Sequence, residues 1–156
     1  MTTPTTETTT DRATILNALD TWIRQRPGLD YGNYASGWSD TEGRKAYQSE
    51  VRSIGRDLQD ARTLLRAVER SGMPVDTLLG GFRAYSGRLT WDGTRLDYCT
   101  GQYWPTEYRK AVCAVLASAL WDYHRDDYAA TAHPGDALRA AFRRMFGRRM
   151  QQRWFD

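Results

Sequence analysis

A chain of 156 residues with 40% hydrophobic content, six Trp and nine Tyr can build one domain around a substantial core. Its net charge of +3 is mildly basic, too little alone to establish an anionic partner, and no apolar run approaches the ~20 residues that span a bilayer. The basic residues are lopsided in type, twenty Arg against Lys45 and Lys110. A GC-rich genome is the first explanation of that bias, which would also suit bidentate contacts to phosphate or carboxylate.

Residues 1–10 (MTTPTTETTT) are polar and low in complexity, so they read as a disordered tail without the apolar centre of a signal peptide. Cys99 and Cys113 match no zinc spacing and have no His nearby. A cytoplasmic, reducing setting is therefore expected. A first helix follows at 11–25, with Ile15, Leu19, Trp22 and Ile23 as its apolar face and Pro27-Gly28 as its end. The stretch 28–38 (GLDYGNYASGW) has neither a helical nor a strand period. Its rings Tyr31, Tyr34 and Trp38 either cap the core or form a surface for a partner.

Residues 39–71 carry the main organising pattern. Tyr47, Val51, Ile54, Leu58, Ala61, Leu65 and Val68 recur in alternating steps of four and three, which keeps one seam on one side of a helix. Ser39 with Glu42 reads as a capping box, and Gly72 with Pro74 as a stop. At 1.5 Å per residue the rod spans about 45 Å, enough to be a spine. Gly55 is out of place inside it, costing about 1 kcal/mol relative to Ala. Either a neighbour passes close or the rod bends there. Arg52, Arg56, Arg62, Arg66 and Arg70 are interspersed with Asp57, Asp60 and Glu69, a mixture that describes a solvated face.

A short helix is expected next, with Val75, Leu78, Leu79 and Phe82 on one side and Gly80-Gly81 weakening it. At 88–98 (RLTWDGTRLDY), Asp92-Gly93 predicts a type I′ turn. That turn would pair Trp91 with Thr94, Thr90 with Arg95, Leu89 with Leu96 and Arg88 with Asp97. Pro105 is placed to open a helix running to about Tyr123, and the nearly all-apolar AVCAVLASALW at 111–121 makes it the most buried one. The last helix, 136–146, puts Leu138, Ala141, Phe142 and Met145 on one face, and Gly147 ends it. Residues 148–156 follow as a basic tail or a separate turn.

Chemistry has few places to sit. Asp122 and Asp126 share a helix face while His124 points away, no third metal ligand has a natural spacing, and His133 stands alone. No nucleophile elbow, P-loop or dinucleotide fingerprint is present. No catalytic residue, metal or cofactor is therefore assigned. The strongest lead is the C-terminus: Arg139, Arg143, Arg144, Arg148, Arg149 and Arg153 against one acid, with Trp154 and Phe155 at the end. Arginines clamp phosphates and aromatic rings stack on bases. The competing reading is a solubilising tail whose Trp154 and Phe155 fold back onto the core.

QRPGLDYGNYASG with YQSEVRSIGRDLQDARTLLRAV, and GRLTWDGTRLDYCTGQYWPTEYRKAVCAVLASALWDY, resemble small accessory proteins of bacterial plasmids, phages and integrative elements. The likeness covers much of 25–123 and carries no catalytic motif or functional residue with it. It implies a context of DNA handling, or of blocking host defences by binding nucleases or RNA-guided complexes.

The expectation is a mostly α fold: a small helical bundle around one long central helix, with a single β-hairpin packed on it. The expected function is non-catalytic binding of nucleic acid or a nucleoprotein complex, through Arg139, Arg143, Arg144, Arg148, Arg149, Arg153 and Trp154. The alternatives are an anti-defence inhibitor docking on a host protein through Tyr31, Tyr34, Trp38, Tyr103 and Trp104, and an enzyme with an unrecognised site. A homodimer through the long helix is a further option.

Overall fold

The computed structural model describes residues 11–25, 40–84, 89–93, 96–98 and 105–156. Among them are six α-helices: α1 (Arg12–Gln25), α2 (Asp40–Ser71), α3 (Val75–Ala84), α4 (Pro105–Arg125), α5 (Pro134–Phe146) and α6 (Arg148–Trp154), with a 3-10 turn at Asp126–Tyr128 between α4 and α5. None is long and apolar enough to cross a membrane. The segment 1–10 and the aromatic stretch 28–38 lie outside the described residues.

Local chemistry explains the helix ends. Asp11 Oδ1 accepts from the Thr14 backbone N–H and from its hydroxyl, both at 2.7 Å, and so caps α1. The same two bonds hold the Asp11 carboxyl below its ordinary pKa. Gly72, with φ at +69°, stops α2 as expected. The orphan carbonyls there are satisfied by side chains: Arg12 Nη2 donates to the carbonyls of Val68 and Glu69, the latter at 2.6 Å, and the Tyr123 hydroxyl donates to that of Ser71 at 3.0 Å. A guanidinium from α1 thus sits at the negative end of the α2 dipole.

The core forms where α1, α3 and α4 meet the C-terminal half of α2. On α2 the continuous buried run begins at Asp57 and takes in Leu58, Ala61, Leu64, Leu65, Ala67 and Val68. The predicted seam therefore holds from Leu58 onward, while Val51 is 37% exposed. Ile15, Leu19 and Ile23 of α1 are buried, and so are Ala111, Val112, Cys113, Val115, Leu116, Ala117, Ala119 and Leu120 of α4, the most buried helix, as its composition foretells. The face expected on α5 is buried at Leu138, Ala141 and Phe142, but Met145 is 49% exposed and the neighbouring Phe146 packs on the core instead. Helix pitch explains the exchange, since one residue's rotation selects which side chain closes the last turn.

The expected fold class is corrected on one point: the six α-helices make the bundle, and the hairpin expected over 88–98, with its two-residue turn, is not formed. Among the described residues of this stretch are two three-residue extended segments, Leu89–Trp91 and Leu96–Tyr98, which pair at Leu89↔Tyr98, Thr90↔Asp97 and Trp91↔Leu96. The two-residue turn and its Leu89–Leu96 pairing are not adopted; the connection spans four residues, with φ at +104° on Gly93. A slip of two residues preserves side-chain parity. Leu89 is accordingly still fully buried, with Trp91 and Leu96 packed beside it. So short a pair lacks a sheet face of its own, and it lies as a patch on the helices.

Gly81 marks the closest approach of α3 to α4. A Cβ there would stand 2.4 Å from the Val115 carbonyl oxygen and 3.2 Å from Ala119 Cβ, whereas one at Gly80 would meet only the end of Arg83 at 3.9 Å. Gly81→Ala is expected to destabilise by about 2–3 kcal/mol through overpacking, and Gly80→Ala to stabilise by up to ~1 kcal/mol through helix propensity. Urea unfolding of the two variants checks the opposite signs.

Candidate functional site

The seven C-terminal residues singled out in the sequence divide into two groups. Gly147, with φ at +96°, breaks the chain between α5 and α6, so that α6 turns back onto α2. Residues 148–154 are thus a docked helix, and Met150, Gln151 and Phe155 are buried. Phe155 stacks on Phe142 with centroids 3.9 Å apart and lies 5.7 Å from Phe146. Trp154 and Phe155 fold back onto the core.

Docking brings α6 to two carboxylates of the long helix. Asp57 and Asp60 are 0% and 1% exposed, although their neighbours in sequence suggested a solvated face. Arg149 grips Asp60 with both arms, Nη1 to Oδ2 at 3.0 Å and Nη2 to Oδ1 at 2.5 Å. Trp154 Nε1 donates to Asp60 Oδ2 at 3.0 Å, and Arg153 Nη2 donates to Asp57 Oδ1 at 2.7 Å. Arg153 also lies over the Trp154 ring, 5.0 Å from its centroid. The hydrogen bond to Asp60 raises the pKa of Arg149 above its ordinary value, keeping it charged throughout the accessible pH range. Arg139 is tied down too, at 3.3 Å from Asp136, 3.9 Å from Asp156 and 5.6 Å from the Trp121 ring.

Arg143, Arg144 and Arg148 form the second group. They are exposed, and none has an acid within ion-pair distance among the described residues. Further arginines share this condition, Arg44, Arg52, Arg56, Arg66, Arg70 and Arg83 among the described residues, and two of these, Arg52 and Arg56 of α2, line with Gly55, Gln59 and Arg149 a groove of about 510 Å³. Their spacing of four was the available signal, masked by the acids that turn inward at Asp57 and Asp60. Tyr31, Tyr34, Trp38, Tyr103 and Trp104 lie outside the described residues.

A second concavity, about 500 Å³, lies between α3, α4, α5 and the end of α6, lined by Ser118, Trp121, Asp122, Arg139, Trp154 and Asp156 among others. Its charged groups are mutually engaged: Asp122 pairs with Arg125 at 3.0 Å and Arg139 with Asp156. His124 lies outside it, 3.6 Å from Asp127 and edge-on to Phe142. No group of three or more potential metal ligands converges among the described residues.

Cys113 sits beneath the clasp, its thiol donating to the Asp57 carbonyl at 3.4 Å. Burial first, then the negative charges of Asp57 and Asp60, push its pKa well above the usual 9.0, with Arg153 opposing. The unfolded chain therefore ionises this thiol before the folded one does. The stability tied to it is intact below about pH 9 and is lost as pH rises further. In a Cys99→Ser background, Cys113 is expected to resist iodoacetamide until the protein opens, and the fall in stability above pH 9 is expected to flatten in Cys113→Ala.

Arg149→Ala strands the Asp60 carboxylate in the interior. Because the guanidinium is half exposed, a loss of about 2–3 kcal/mol is expected, below the full cost of breaking a sealed pair. Asp60→Ala/Arg149→Ala is expected to be more stable than Arg149→Ala alone, which a double-mutant cycle by denaturant unfolding reads directly.

Comparison with known proteins identifies no relative: no family model, no curated protein and no solved structure matches this chain.

Proposed function

We propose that this chain binds nucleic acid, alone or within a nucleoprotein complex, through arginines that its fold leaves without acidic partners. The observation that carries the reading is the division of the basic residues. Arg139, Arg149 and Arg153 are held by carboxylates, whereas Arg52, Arg56, Arg143, Arg144 and Arg148 are exposed and face none among the described residues. Unpaired guanidinium groups present forked donors that match phosphate oxygens. Nearly every basic residue is Arg rather than Lys, which suits that geometry. The resemblance to mobile-element accessory proteins gives the reading its context, DNA handling or interference with host defence complexes.

This assignment replaces the tail as a whole with its exposed members, because removing residues 148–156 would open the core. Binding to a labelled DNA or RNA duplex, followed by anisotropy across a salt series, tests it. A linear fall of log K with log salt is expected, each phosphate contact contributing about 0.9 to the slope on duplex DNA. Arg143→Ala/Arg144→Ala/Arg148→Ala is expected to lower that slope by about 2–3 while shifting Tm by only a few degrees. Absence of binding by the wild-type protein to duplexes and single strands at low salt refutes the reading.

A further inference from the structure

The groove over Gly55 has a feature that packing does not explain. Gly55 lies inside α2, where glycine weakens a helix, yet, its chain neighbours and its own helix backbone apart, a Cβ there would meet no atom within 4 Å among the described residues. The bundle does not need the missing side chain. The same groove is walled by Arg52, Arg56, Gln59 and Arg149, so every charged group lining it is a guanidinium. Arg52, Arg56 and Gln59 fall at −3, +1 and +4 from Gly55, which places them around it on one side of the helix. Arg149 reaches the groove from α6 with both arms on Asp60, so its position is fixed while its charge is largely balanced. Arg52 and Arg56 supply the uncompensated charge. A bare stretch of helix backbone between two such residues lets an anion come closer than any other side chain would permit.

We infer that this groove is a phosphate seat: the phosphodiester backbone of a nucleic acid lies across the Gly55 backbone, held by Arg52 and Arg56 and braced by Arg149. The inference rests on the nucleic-acid reading above and assigns its central contact. Phosphate chemistry is shared by a nucleic-acid backbone and a free anion, and the absence of any acid in the lining suits both. The further exposed arginines outside the groove, Arg143, Arg144 and Arg148, favour the polymer.

The experiment compares wild type, Gly55→Ala, Arg52→Ala/Arg56→Ala and the off-groove control Arg83→Ala, by anisotropy with a labelled 20-base-pair duplex over a salt series, each with its Tm. Gly55→Ala is expected to raise Tm by about 2–4 °C and to weaken binding about fivefold or more, two effects of opposite sign that a merely structural glycine would not give. Arg52→Ala/Arg56→Ala is expected to lower the salt slope by about 2, and Arg83→Ala to bind like wild type. If wild type binds the duplex while Gly55→Ala and Arg52→Ala/Arg56→Ala bind equally well, the seat is overturned and the broader reading stands. If wild type binds no nucleic acid, both fall. Displacement of the duplex by millimolar inorganic phosphate at constant ionic strength would make the ligand a free anion and overturn the polymer assignment.

Discussion

Two carboxylates buried on one turn of the long helix set the terms for the rest of this molecule. Asp57 and Asp60 lie where the packing of α2 would otherwise call for apolar side chains, and a charge withdrawn from water is costly unless it is matched. The match comes from the other end of the chain, as two guanidinium groups and an indole N–H on α6. Such a clasp adds little net stability over an apolar contact, but it is demanding in direction. It specifies how α6 lies on α2 and aligns the Phe142–Phe155 stack beside it.

The same constraint divides the arginines. Those drawn into the clasp lose most of their field to the carboxylates they grip, while those on the outer surface keep theirs. A modest net charge of +3 therefore conceals an uneven distribution, because acids are spent inside where they cancel only their immediate partners. Surface charge of one sign, rather than the total, governs attraction of a polyanion. Arg149 belongs to both populations: its arms face inward to Asp60, and its outer edge forms one wall of the Gly55 groove.

Much of the helical frame could be read directly. The four-three spacing from Leu58 to Val68, the stop at Gly72, the small-residue run of α4 and the break at Gly147 each follow from local rules that tertiary packing reinforces. The strand register could not be read, because a slip of two residues keeps Leu89, Trp91 and Leu96 on one face, so the apolar pattern is the same in both registers and only the Asp92-Gly93 turn signal distinguished them. The site was less legible still. Asp57 and Asp60 look like ordinary solvated acids until their partners are placed, and those partners lie about ninety positions away, beyond any helical or turn periodicity. Arg52 and Arg56 were hidden for the related reason that adjacent acids seemed to neutralise them.

That separation also affects how the chain reaches its folded state. A helix of seven residues has too little cooperativity to persist alone, so α6 acquires its shape only on arrival at α2. During synthesis from the N-terminus, the spine, α3 and α4 emerge well before anything can neutralise the two inner acids. Cover over the two inner acids is therefore the work of contacts made across some ninety positions of chain, by a helix that owes its own order to making them.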